Sequence, residues 1–324
     1  MKHSNKNYIW LVTLGIFLFP PPLFAQFRVV GYVSLWANSQ VVPPVSDSVL
    51  KRLTHLNIAF INPDSLGNLF LASGVDSLVE QAHSNKVKVL ISVGGGKFNP
   101  FLDSFINRKN RSAFIDSLLQ LALDHHFDGI DADIENENLT KNYEGFIIEL
   151  SAALKKKNKL LTAALATWNG QLISDAALKK FEFINVMSYD QTGPWRPTEP
   201  GPHSTYEKAI SDLDYWTATR HVPKNRINLG IPFYGYGFGT TYGESMSYGN
   251  IITTFPDAER QDTIMPVGGG AIYYNGVSTI LRKTRLALKS AGGIMIWQIL
   301  QDAAGTQSLL SNIDKTIRKE QGKD

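Results

Sequence analysis

From residue 27 onward, eight short apolar runs rich in β-branched residues recur along the chain. They are Phe27–Ser34, Thr54–Ile61, Val87–Val93, Phe127–Glu135, Leu160–Thr167, Phe181–Tyr189, Ile227–Tyr234 and Gly293–Ile299. Their length and composition predict buried strands. Between most of them the apolar positions fall on a helical period. Ser112–His125 shows it most plainly, with Phe114, Leu118, Leu119, Leu121 and Leu123 on its apolar face. Ser73–Ser84, Tyr143–Lys157, Gly170–Lys180, Ser204–Thr219 and Ser278–Ser290 read the same way. Strands that alternate with helices predict a parallel sheet. Eight is the number that closes a barrel, so the predicted fold is α/β, a (β/α)8 TIM barrel. A doubly wound open sheet would want a Gly-rich turn after its first strand. Gly31-Tyr32-Val33-Ser34 does not supply one. No repeat or linker divides the chain, so residues 26–324 read as one domain. The long segment 236–276, rich in Gly, Tyr, Ser and Thr, predicts an elaborated loop or small subdomain after strand seven. It reads as too short for a full α+β insertion.

Residues 1–25 have a different pattern. Lys2, His3 and Lys6 precede an apolar run from Ile9 to Phe19, which Pro20, Pro21 and Pro22 break. Leu23-Phe24-Ala25 then offers a cleavage site before Gln26. This is the layout of a secretory signal peptide. As a helix the run would span about 16 Å, against about 30 Å of hydrocarbon. The expected mature protein is exported, secreted or periplasmic, with no membrane partner.

Composition narrows the chemistry. With 43% apolar and 19% charged residues among 324, disorder and coiled coil are excluded as whole-chain descriptions. The chain has no cysteine, which removes disulfides, thiolate metal sites and a thiol nucleophile. The formal charge is +3, and without Lys2 and Lys6 it falls to +1, with 30 basic and 29 acidic residues. That balance gives no reason to expect a nucleic-acid partner.

The segment Phe127-Asp128-Gly129-Ile130-Asp131-Ala132-Asp133-Ile134-Glu135 carries the strongest signal. Side chains on a strand alternate faces. Asp131, Asp133 and Glu135 therefore share one face, about 7 Å apart along the strand, and Ile130, Ala132 and Ile134 share the other. The apolar set would pack against the helices and the acidic set would point into the barrel. Clustered, desolvated carboxyls raise one another's pKa. Glu135 comes last, at the C-terminal mouth where barrels place their chemistry, and is a candidate general acid. An oxygen-only metal site is the alternative for the same residues, but a calcium loop wants Gly and Asn within the loop and no strand pattern. His125 and His126 precede this strand, with no acidic partner evident in sequence, and read as a helix end.

With these residues the chain resembles glycoside hydrolase family 18, the chitinases and endo-β-N-acetylglucosaminidases. Asp128-Gly-Ile-Asp131-Ala-Asp133-Ile-Glu135 matches the family's DGxDxDxE signature. Ser92-Val-Gly-Gly95 matches its SxGG segment, Met187-Ser-Tyr189-Asp190 its MxYD segment, and Trp297 its strand-eight tryptophan. The resemblance implies that Glu135 protonates the glycosidic oxygen and that the substrate's own N-acetyl carbonyl attacks the anomeric carbon. It implies that Asp133 orients the acetamido N–H, that Asp131 holds Asp133 and shares a proton with it, and that Tyr189 donates to the acetamido oxygen. Asp190, Met187 and Tyr234 would lie against the sugar, with Trp297 as floor of the −1 subsite. Ser92 and its glycines would support the acidic strand. The implied partner is an N-acetylglucosamine-containing oligo- or polysaccharide, with no cofactor and no metal.

The tryptophans add to this picture. Trp36, Trp168, Trp195 and Trp297 all fall at or just beyond predicted strand C-termini, where aromatic faces can stack on pyranose rings. Trp36 and Trp195 are therefore counted as candidate sugar contacts. The chain also departs from the family pattern. Ile134 stands where many chitinases carry Trp, and Tyr234-Gly-Tyr236 lacks the Arg that often follows Tyr-Gly. These departures suit an open groove. They leave an endo-β-N-acetylglucosaminidase acting on N-glycan cores, or a non-catalytic lectin, beside the chitinase reading.

Overall fold

A computed structural model describes residues 26–35 and 41–322 of the chain. The expected signal peptide and its cleavage site, and Trp36, lie outside the described residues.

The eight barrel strands fall within or beside the eight apolar runs. They are β1 (Arg28–Ser34), β2 (His55–Ile61), β3 (Lys88–Gly95), β4 (Gly129–Ile134), β5 (Leu160–Leu165), β6 (Ile184–Val186) and β7 (Ile227–Pro232), closed by a final strand, Gly293–Trp297. Between β7 and that strand the chain inserts β8 (Tyr234–Phe238), β9 (Ser245–Ser247), β10 (Thr263–Ile264) and β11 (Ala271–Tyr273), which makes Gly293–Trp297 β12. The barrel closes in the order β1-β12-β7-β6-β5-β4-β3-β2, with every pairing parallel.

The two faces of each strand divide as the alternation requires. Ile130, Ala132 and Ile134 of β4 are buried in the large apolar layer between barrel and helices. A smaller cluster fills the barrel interior, with Val30, Tyr32, Ala59, Ala164, Met187 and Met295 among its members. The C-terminal helix Leu309–Glu320 covers the outside with Leu309, Leu310, Ile313 and Ile317, and its Ser308 caps the Ser311 N–H. Among the described residues no helix is long and apolar enough to cross a membrane.

One segment fills in an expectation and another departs from it. The segment after strand seven is a four-stranded antiparallel sheet, β10-β11-β8-β9, with a helix at Tyr248–Thr254. Its strands are only two to five residues long, so of the two expected forms, an elaborated loop or a small subdomain, it takes the second. The predicted helix Gly170–Lys180 is instead a 3-10 turn, Thr167–Leu172, followed by a single helical turn, Asp175–Leu178. Arg220 accounts for the break. Its guanidinium donates to the Gly170 and Ile173 carbonyls, while Ser174 starts a new turn by capping the Ala177 N–H.

Candidate active site

Strand register assembles the acidic ladder. Asp131 pairs with Ser92 of β3 on one side and with Thr162 of β5 on the other. Ser92 Oγ donates to Asp131 Oδ2 at 2.8 Å, and Thr162 Oγ1 donates to Oδ1 at 2.6 Å. Tyr32 reaches across from β1 and donates its hydroxyl to Oδ2 at 2.6 Å. Asp131 is fully buried, and burial pushes its carboxyl up while the bonds from Thr162, Tyr32 and Ser92 pull the other way. Hydrogen bonds from donors stabilise the charged form.

Next along β4, Asp133 is hydrogen-bonded to Glu135. Burial, then the charges of Glu135 and Asp131, push Asp133 well above the usual carboxylate range. Burial also pushes Glu135 up to about 7, against the pull of its bond with Asp133 and with a further rise from Asp190. Asp133 thus turns its hydrogen bond toward Glu135, while both Asp131 oxygens accept from the hydroxyls of Thr162, Ser92 and Tyr32. Asp131 finds nearer donors on β3 and β5 than its neighbour two residues along the strand. Asp133 Oδ1 is buried and has no hydrogen-bond partner among the described residues.

The glycines of β3 make room for this arrangement. Gly94 (φ 114°) lies against the Asp133 backbone carbonyl, where a Cβ would collide with the oxygen. Gly95 (φ 96°) has the Phe60 ring in the same relation. Glycine enters this backbone region freely, whereas other residues are strained there.

A cavity of about 650 Å³ opens at the barrel mouth. Asp133 and Glu135 line it together with Met187, Tyr189, Asp190 and Trp297. Trp297 stacks on Phe60 at 5.6 Å between ring centres and tilts against Tyr32 at 5.5 Å. Small Ala164 of β5 leaves depth beneath. Burial beside Asp133 and Asp190 pushes the Tyr189 phenol well above its ordinary value, so it stays an O–H donor. Trp168 and Trp195 stand at the rim, 46% and 55% exposed.

Tyr234 takes a different place from the one expected. It lies buried behind Asp190 and donates to Asp190 Oδ1 at 2.5 Å. His203, in the loop after β6, approaches the same oxygen at 3.3 Å. Its ring packs between Tyr234 (5.0 Å) and Tyr236 (4.8 Å). Tyr236 in turn meets Trp195 edge-on at 5.3 Å. The inserted sheet therefore supports one wall of the cavity through Tyr236 without lining it.

Sequence reading missed several lining residues: Tyr32, Phe60, Asn136, Gln191, Lys208 and Met295. Two carried a signal. Met295 precedes Trp297 by two residues and Tyr32 sits on the inner face of β1, so strand alternation places both inside. Arg196 also lines the cavity and pairs with Glu199 at 3.2 Å. His125 does have an acidic partner, Asp76 at 2.6 Å, but at the opposite end of the barrel from the cavity. Among the described residues no cluster of three His, Cys, Asp or Glu side chains is disposed to hold a metal ion.

A closed parallel barrel thus carries Asp133, Glu135 and the Trp297 ring together at one mouth. The model of Glycosyl hydrolases family 18 matches residues 28–302, and the chain belongs to this family. Among solved structures it is similar to the GH18 chitinase ChiB from the chitin utilization locus of Flavobacterium johnsoniae. That likeness has 36% identity and a TM-score of 0.80, covering 91% of this chain and 95% of that one. Among curated relatives it is 28% identical over 242 residues to a chitinase-like effector of Moniliophthora roreri, covering 64% of this chain and 58% of that protein. It is 26% identical over 274 residues to a class V chitinase of Arabidopsis thaliana, covering 76% of this chain and 72% of that protein.

Proposed function

We propose that the protein is an exported glycoside hydrolase that cleaves β-1,4-linked N-acetylglucosamine by substrate-assisted catalysis. The observation that carries this reading is the pairing of Asp133 with Glu135 in a cavity floored by Trp297. Glu135, held protonated up to about pH 7, gives its proton to the glycosidic oxygen as the bond to the anomeric carbon breaks. The substrate's acetamido carbonyl oxygen forms the new bond to that carbon from the opposite face, and water later opens the intermediate with net retention. Asp133 Oδ1, the unpartnered buried acceptor, takes the acetamido N–H. The Tyr189 hydroxyl, which among the described residues donates to the Met295 sulfur at 3.7 Å, turns to the acetamido oxygen and fixes the angle of attack. Relatives bearing chitinase names support chitin-type substrates for this chain.

The test is a mass-spectrometric digest of chitohexaose by residues 26–324, with Glu135→Gln alongside. Wild type should yield shorter oligomers, and the variant should lose about 10²–10⁴-fold in rate while still binding the oligomer by calorimetry. Full activity in Glu135→Gln would overturn the mechanism. Oligomer binding by wild type without turnover would make the protein a lectin. Cleavage of a high-mannose glycoprotein alone would make it an endo-β-N-acetylglucosaminidase.

A further inference from the structure

Polar side chains continue inside the barrel below Asp131. The Tyr32 hydroxyl that donates to Asp131 also accepts a hydrogen bond, from Asn185 Nδ2 of β6 at 3.2 Å. Asn185 Oδ1 accepts from Asn228 Nδ2 of β7 at 2.9 Å. Asn228 Oδ1 accepts from Arg28 Nε of β1 at 2.9 Å. Tyr32, Asn185 and Asn228 are all essentially without solvent exposure. The chain runs in register: Asn185 pairs with Asn228, Asn228 with Gly293, and Gly293 with Arg28. Gly293 of β12 thus lies between Asn228 and Arg28. A Cβ there would collide with Asn228 Oδ1, so only a residue without a side chain lets Arg28 reach across the strand.

Every donor in this chain points the same way. Arg28 has no acceptor, so Asn228 must turn its oxygen toward it and its NH2 toward Asn185. Asn185 must then turn its NH2 toward Tyr32. A hydroxyl that accepts there has its single proton free for Asp131. Aligned hydrogen bonds polarise one another in the same sense. Arg28 is itself fixed, with Nη2 donating to the Asn225 carbonyl at 2.6 Å and the guanidinium 4.6 Å over the Phe183 ring.

We propose that Arg28, Asn228 and Asn185 are positioning residues, which set the direction of the Tyr32 proton and so keep Asp131 an anion beneath the Asp133–Glu135 pair. The kinetic part of this proposal rests on the hydrolase reading above. The titratable groups facing Asp131 are Tyr32 from β1, Asp133 on its own strand and Tyr143 from the helix Tyr143–Lys155. Ser92, Thr162 and Asn57 present only non-titrating groups. At the other end Arg28 faces Glu182 and His55. Burial, with Lys88 and Arg28 nearby, pushes His55 down to about 4, so it stays neutral through the working range.

Asn228→Asp tests the direction itself. The new carboxylate accepts from Arg28 but has no N–H for Asn185. The Asn185 amide then turns over and draws the Tyr32 proton away from Asp131. With one donor lost, protonation of Asp131 should move up by about one pH unit. The acid limb of kcat/KM on chito-oligosaccharide should rise by the same amount, and the alkaline limb set by Glu135 should stay. Arg28→Met, at the outer end of the chain, should move the acid limb the same way, and Arg28→Lys, which restores a donor cation, should not. A merely structural role would lower stability or rate without shifting that limb.

The protonated-carboxyl infrared band, followed against pH and assigned with Asp131→Asn, reads the same titration without turnover. An unmoved acid limb and an unmoved infrared titration in folded Arg28→Met overturn the proposal, even if Asn228→Asp does not fold. Absence of turnover in wild type would instead sink the hydrolase reading, and the infrared titration would still decide this one.

Discussion

Lys283 offers a test of the site's support that needs no substrate. It lies on the helix Val277–Ser290, faces inward and has no solvent exposure. Its ammonium donates to the Ser204 carbonyl, Ser204 Oγ and Asn275 Oδ1, each at 2.7 Å. Ser204 follows His203, the residue against Asp190, and its hydroxyl donates to the Ser188 carbonyl at 2.6 Å. The lysine therefore clamps the loop after β6 to the helix behind it. Burial pushes the ammonium down to about 7, with Asp262 and Asp212 holding it against a further fall. The unfolded chain keeps an ordinary lysine near 10.5. Between those two values the unfolded state binds more protons than the folded one, so this group makes stability rise with pH. Below the folded value its contribution is flat. At about 1.36 kcal/mol per unit, integrated from about pH 7 to about pH 9, the rise is about 2 kcal/mol. In Lys283→Met this slope disappears, while every other titrating group is common to both proteins and cancels in the difference. Urea denaturation of both at the two pH values should show the variant falling behind wild type by about 2 kcal/mol more at the higher pH. Parallel changes in the two proteins would refute the burial argument for Lys283.

Two further substitutions probe the walls of the site. Gly94→Ala forces a side chain onto a φ of 114° and against the Asp133 carbonyl, and should cost about 3 kcal/mol in thermal or chemical denaturation and abolish turnover. Tyr234→Phe removes the hydroxyl that donates to Asp190 but keeps the ring packed on His203 and Tyr236. Stability should change by about 1 kcal/mol and kcat/KM should fall roughly tenfold, measured on chito-oligosaccharide.

Strand alternation made much of the site legible in advance. Eight apolar runs were enough to count the barrel strands, because a parallel strand buried on both faces has no other way to read. The same alternation put Asp131, Asp133 and Glu135 on one face and the isoleucines on the other, and the structure keeps that division. Met187, Tyr189 and Asp190 were expected there from the resemblance of Met187-Ser-Tyr189-Asp190 to the family's MxYD segment, and all three line the cavity.

What stayed hidden depends on partners far apart in the chain. No local pattern tells that Asp133 turns toward Glu135, because the choice is made by Ser92 and Thr162 satisfying Asp131 from neighbouring strands. Lys283 falls within the predicted helix Ser278–Ser290, and nothing local marks it as buried, because its acceptors Ser204 and Asn275 are brought in from two loops. Tyr234 follows a barrel strand closely enough to suggest a sugar contact, yet β8 begins at that residue and turns it behind Asp190. The network from Arg28 to Asp131 is the extreme case, joining positions up to 200 residues apart through one glycine. Alternation shows which face a side chain takes. Which neighbour it bonds there is decided by register, and register is set by the closure of the whole barrel.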